Sequence, residues 1–209
     1  MLQADVTRAI RGAVFAELAA GGYGRLSIEA VAKRAKVGKT AVYRRWRSKL
    51  EMVIEVVSSA ARDVTPVPDT GSLLGDVRDL IDGAAHGLRH PLARQIIPDL
   101  LAEAARSPEI AATLEEALRG TQRGIGAVVL RNAAARGELP AGTDPELALD
   151  VILGPVYWRL TVTRGELSDA SADLLARGAV AALAQARSGP GAGKGPEVGE
   201  SPANGPDRV

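Results

Sequence analysis

A chain of 209 residues, 46% of them apolar, is long enough for a sizeable core and too apolar to be disordered. It has no cysteine and only two histidines, His86 and His90. That excludes disulfides, thiolate metal sites and a Cys nucleophile, and leaves little for a His-based metal or catalytic site. Residues 1–60 hold 11 Lys/Arg and 5 Asp/Glu, a net of +6, whereas residues 61–209 hold 15 and 20, a net of −5, so the overall +1 conceals a basic head on an acidic body.

Apolar residues recur at spacings of three and four almost throughout, and the strand signal is poor, so the expected fold class is all-α. The first helix is expected over residues 4–20, with Ile10, Val14 and Leu18 on one stripe and Gly21-Gly22 at its end. Ser27 is a good N-cap for a short second helix that buries Ile28, Val31, Ala32 and Ala35. Lys36-Val37-Gly38 makes a tight turn into a third helix over 39–46, which buries Val42 and Trp46. Ser48-Lys49-Leu50-Glu51 has the capping-box pattern and opens a fourth helix with Leu50, Val53, Ile54 and Val57 on its stripe.

Thr65-Pro66-Val67-Pro68 through Gly71 is a breaker segment. Beyond it, helices are expected over 72–88, with His86 opposite the apolar stripe, and over 92–106, bent at Pro98. Further helices follow over 108–136, 145–163 and 170–187. The last 21 residues, 189–209, are rich in Gly and Pro and should be disordered. No secretory apolar region opens the chain, and Asp150 and Arg159 interrupt its most apolar stretch, 147–162. A bilayer span needs about 20 apolar residues, so that stretch is expected to be a buried helix and the protein cytoplasmic. Eleven of its sixteen residues are apolar, and nearly all of 174–184 are apolar or Gly. A helix apolar all round must be covered all round, which points to a homodimer through the last two helices; a central position in a monomer core is the alternative.

Helices two and three have the lengths, turn and burial pattern of a helix-turn-helix, whose second helix enters the DNA major groove. Lys39 and Thr40 open that helix, Ala41 is small enough to lie against a thymine methyl, and Tyr43, Arg44 and Arg45 lie one turn on. Lys49 sits at a helix N-terminus, where the dipole disfavours a cation unless a phosphate is bound there. A fully solvated lysine would explain it equally simply. For Trp46 the better reading is core, with Val42.

The segment "LSIEAVAKRAKVGKTAVYRRWRSKLEMV", 26–53, resembles the DNA-binding domain of the Tet-repressor (TetR) family. Ser27, Tyr43, Trp46, Ser48 and Lys49 carry the pattern, and Gly22-Tyr23 fits the end of the family's first helix. The segment "ARGELPAGTDPELALDVILGPVYWRL" resembles, more loosely, one version of the family's ligand-binding domain. The resemblance implies a helix-turn-helix domain over 1–47 and a helical ligand-binding and dimerisation domain over 48–188. It also implies DNA contacts from Ser27, Lys39, Thr40, Ala41, Tyr43, Arg44 and Lys49, with Tyr43 and Lys49 on phosphate. Arg45 is added on chemistry alone, because Arg is the commonest reader of guanine O6/N7. Lys36 departs from the family, which often has Gly in the turn.

The expected function is therefore a DNA-binding regulator, a repressor released from a pseudo-palindromic operator by a small molecule. The partners are double-stranded DNA, a second copy of the chain and a mostly apolar effector. An activator, or control by a protein partner, is the alternative. Candidate ligand residues are Thr121 and Asn132, polar on the inward stripe Ile110, Leu114, Leu118, Ile125, Val128, and Tyr157 and Trp158, which follow the helix-kinking Gly154-Pro155. Internal hydrogen bonding and plain packing are the competing explanations for these four. No cofactor is expected. Without a Cys, a His-x-x-x-His or a phosphate loop, an enzyme has no support.

Overall fold

A computed structural model describes residues 3–64, 67–140 and 142–185. Among them are nine α-helices and one π-helical segment, and no strand. The helices are α1 Gln3–Arg25, α2 Ile28–Arg34, α3 Lys39–Tyr43, α4 Lys49–Val64, α5 Leu73–Arg89, α6 Pro91–Ala104, α7 Pro108–Ala135, α8 Pro145–Tyr157 and α9 Asp169–Gln185; the π segment is Trp158–Val162. Thr65, Pro66 and the tail from 189 lie outside the described residues.

Ile10, Val14 and Leu18 of α1 are fully buried, as the stripe predicts. The glycines interrupt this helix without ending it. Gly22 has φ 68° and ψ −177°, a conformation essentially reserved for glycine, and helical turns resume as far as Arg25. Ser27 caps α2, its Oγ accepting from the Ala30 amide at 3.1 Å. The turn after α2 is a Schellman motif: Lys36 N–H donates to the Lys33 carbonyl at 3.2 Å and Val37 N–H to that of Ala32 at 3.0 Å. Lys36 takes the left-handed position with φ 55°.

Helix α3 is shorter than its periodicity suggests. It stops at Tyr43 and tightens, with Arg45 and Trp46 amides both on the Val42 carbonyl at 2.9 and 3.1 Å. Val42 and Trp46 are buried. Trp46 Nε1 donates to Glu55 of α4 at 2.5 Å. At the start of α4, Ser48 Oγ accepts from the Glu51 amide at 3.0 Å. The Glu51 carboxylate accepts from the Arg47 amide at 2.7 Å, one residue earlier than the standard reciprocal bond. Met52 and Val56 are buried along with Leu50 and Val53, because α4 packs against both α1 and α7.

Two apolar cores result. One runs from Ile10 through Val56 and takes in Ile96 and Leu100 of α6. The other gathers α5, the C-terminal half of α7, α8 and α9. Helix α7 serves both, so its buried stripe changes phase along its length. Ile110 and Leu114 pack on the first core, and Val129, Leu130 and Ala133 are buried in the second. Leu118 falls between them and is exposed, contrary to the single stripe expected. Asp76 is buried near the start of α5, held by Thr70 and by Arg136, which caps the end of α7. Pro155 cannot donate to the carbonyl four residues before it. Helix α8 nevertheless continues through Pro155 to Tyr157, and i→i+5 bonding follows over Trp158–Val162, with the Thr163 amide on the Trp158 carbonyl at 2.9 Å.

Candidate nucleic-acid interface

The helix-turn-helix is built by one small core under α1, α2 and α3. Val42 and Trp46 anchor α3 into that core. This turns Lys39, Thr40, Tyr43 and Arg44 outward, all of them exposed. Tyr43 is 50% exposed, unusual for so large a ring. Ala41 and Arg45 are half-buried beside them. A helix this short therefore has two occupied faces, one apolar and inward, one basic and outward.

The charged groups are held loosely where they face solvent. Lys39 Nζ pairs with Glu29 Oε1 at 2.8 Å, and this bond holds the Glu29 carboxyl below its usual pKa. An exposed pair of this kind is worth little, so a phosphate can exchange for Glu29 at small cost. Arg45 donates to the Ala41 carbonyl at 3.0 Å, which lays its guanidinium back along the helix. Ser27 uses its oxygen as an acceptor for the α2 cap and retains its O–H as a donor.

Lys49 has partners that no local pattern announces. Its ammonium donates to the Tyr23 carbonyl at 2.9 Å and the Gly24 carbonyl at 3.4 Å. It also lies 4.2 Å from the centroid of the Tyr23 ring. Burial pushes its pKa down, and Glu103 on α6 opposes that shift. Burial, with Glu103 adding to it, pushes the Tyr23 hydroxyl up. Asp99, also on α6, accepts from the Tyr23 amide at 3.3 Å. Sequence reasoning missed Asp99 because the two residues are 76 positions apart, and neither helix carries a periodic signal for the bond.

The described candidate effector residues differ in exposure. Asn132 and Tyr157 are half-buried in the body, on α7 and α8. The Thr121 side chain lies outside the described residues. Trp158 is 61% exposed, so it lies on the outside of the body. The π segment begins at this residue. Its neighbours in exposure are Leu147, Val162 and Leu174, the other large apolar side chains that α8, the π segment and α9 leave uncovered.

Comparison with known proteins agrees with this geometry over both halves. Residues 10–56 match the family described as bacterial regulatory proteins, tetR family, and residues 67–179 match the tetracyclin repressor-like C-terminal domain. The chain is 34% identical over 156 residues to the DNA-binding transcriptional repressor TetR of Mycobacteroides abscessus, covering 71% of this chain and 78% of that protein. It is 29% identical over 164 residues to the HTH-type transcriptional regulator YdeS of Bacillus subtilis, covering 78% and 81%. Among solved structures, the TetR family transcription regulator SCO0332 superposes with a TM-score of 0.71 at 25% identity, covering 85% of this chain and 97% of that one. A basic recognition helix docked on a three-helix core, followed by a helical body that matches over its own length, makes this chain a DNA-binding transcriptional regulator of the TetR family.

Proposed function

We propose that the protein is a cytoplasmic repressor that binds a pseudo-palindromic operator as a homodimer and is released by a mostly apolar small molecule. The observation that carries the proposal is the two-faced α3, with Val42 and Trp46 buried and Lys39, Thr40, Tyr43 and Arg44 exposed together. Lys39, Thr40, Ala41 and Arg45 read bases, and Ser27, Tyr43 and Arg44 hold the backbone. Lys49 stands apart, its ammonium already engaged by two carbonyls.

Two such heads reach successive major grooves only if they lie about 34–36 Å apart. The exposed Leu147, Trp158, Val162 and Leu174 of α8, the π segment and α9 support a two-fold interface through these elements, since covering large apolar side chains is favourable. The effector must bind the released arrangement more tightly than the DNA-bound one. Asn132 and Tyr157 are its candidate contacts inside the body.

Selection of bound DNA from a random pool, followed by titration of the winning site against salt, tests the proposal. Six phosphate contacts give a fall in affinity of about a thousandfold between 50 and 200 mM salt. Tyr43→Ala should weaken binding to all sequences alike, and Arg45→Ala should change the preferred bases. A salt-independent affinity, or a selection that returns no two-fold half-sites, would end the proposal.

A further inference from the structure

The end of α1 is a helix C-terminus at which four carbonyls, those of Ala20, Gly21, Tyr23 and Gly24, accept from basic side chains. Such carbonyls lack intrahelical donors and carry the negative end of the helix dipole. Arg25 turns back to the Ala20 and Gly21 carbonyls at 3.2 and 3.3 Å. Lys49, at the first residue of α4, takes those of Tyr23 and Gly24. Two of its three N–H donors are thus committed, and the Tyr23 ring covers another side of the ammonium. The dipole of α4 disfavours a cation at this position, and the dipole of α1 favours it.

On the other side of the same turn stands α6. Gln95, Asp99 and Glu103 follow one another at i, i+4, so they form one line along that helix. Asp99 binds the Tyr23 amide. A Cβ added at Gly22 would lie 2.8 Å from Asp99 Oδ2 and 3.2 Å from Gln95 Nε2, so the side chains of α6 press close against the Gly22 backbone. Glu103 acts electrostatically on both Lys49 and Tyr23. Ile96 and Leu100, on the same helix, are buried in the head's core. The turn from Gly22 to Gly24 is therefore gripped by α4 and by α6 at once.

We infer that Lys49 is a positioning residue for DNA binding rather than a phosphate ligand, and that Lys49 and Asp99 together clamp the Gly22–Gly24 turn and set the tilt of the head on the body. This rests on the proposal that α3 binds DNA. The clamp acts on where α3 points and on how far apart two copies of it stand. It adds no contact to DNA.

The test uses the full chain and a DNA site selected by the unaltered protein. Lys49→Met should lower the melting temperature by about 3 °C. It should weaken DNA binding about tenfold at every salt concentration, leaving the slope of log affinity against log salt unchanged. A phosphate ligand would instead reduce that slope by about 0.9 per protomer, with melting intact, and that result overturns the inference. Asp99→Ala is the sharper variant. Removing an acid from a protein that binds a polyanion ordinarily leaves binding unchanged or tightens it, whereas loss of the clamp weakens it and broadens the half-site spacings recovered in a repeat selection. Asp99→Asn keeps an acceptor for the Tyr23 amide and should restore both properties. If Asn and Ala behave alike, or if spacing stays sharp in Asp99→Ala, the clamp is wrong. The DNA proposal and the clamp fail separately. Unaltered protein that binds no DNA removes the first, whereas additive melting shifts for Lys49→Met and Asp99→Ala in the double variant remove the second.

Discussion

Lys36 and Gly137 hold the same place in two copies of one motif. Each is the left-handed residue after a helix, with φ 55° and 75°, and each is followed by an amide bonded back five residues, Val37 to Ala32 and Glu138 to Ala133. Glycine takes this conformation freely, while a lysine carries a cost of about 1 kcal/mol. Lys36→Gly should therefore raise stability by at most about 1 kcal/mol, read from the urea midpoint at constant slope. Gly22 shows the opposite case. Its φ and ψ lie where only glycine is comfortable, and Asp99 fills the space a methyl would need. Gly22→Ala should cost about 1–3 kcal/mol by the same measurement. The caps at Ser27 and Ser48 were legible in the sequence because donor and acceptor are three residues apart. The partners of Lys49 were not, because they lie 25 and 26 residues away on a turn whose shape Gly22 decides.

At the scale of elements, the join between α5 and α7 depends on one buried acid. Burial raises the pKa of Asp76, but the Thr70 amide, the Arg136 guanidinium and the Thr70 hydroxyl outweigh it, and the net direction is down. An acid depressed in the folded state contributes stability that is present above its unfolded pKa, about 3.9, and is lost as pH falls through the lower folded value. Urea midpoints measured from pH 6 to pH 2 should fall on the acid side, and Asp76→Asn should flatten that arm. Arg136→Met removes the guanidinium that holds the acid down, so the loss should begin at higher pH. Helix periodicity located both helices to within a residue or two. It could not pair Asp76 with Arg136, 60 positions on. Nor did it anticipate the phase change in α7, since a single stripe assumes a single partner and this helix has two cores to serve.

For the whole molecule, the head was readable from sequence because its chemistry is compressed into one segment, Lys39 to Lys49. The body was readable only as helices. Its effector residues stay a proposal, and Trp158, placed among them from its neighbouring Gly154-Pro155, lies on the outside. That outer face makes the assembly testable. Leu174 is 65% exposed, so Leu174→Glu should leave a lone protomer folded and should halve the mass seen by light scattering. DNA affinity should fall with the mass, because one head cannot span two half-sites.

The two tryptophans of this chain are placed as if to report on these units separately. Trp46 is 1% exposed in the head's core, with its indole nitrogen on Glu55, and Trp158 is 61% exposed on the outer face of the body. Indole emission follows the polarity around the ring, so a lone protomer carries a blue emitter in the DNA-binding unit and a red one on the outer face of the body. Dilution that separates the proposed dimer should move only the Trp158 emission to the red, and loosening the α3–α4 junction only that of Trp46.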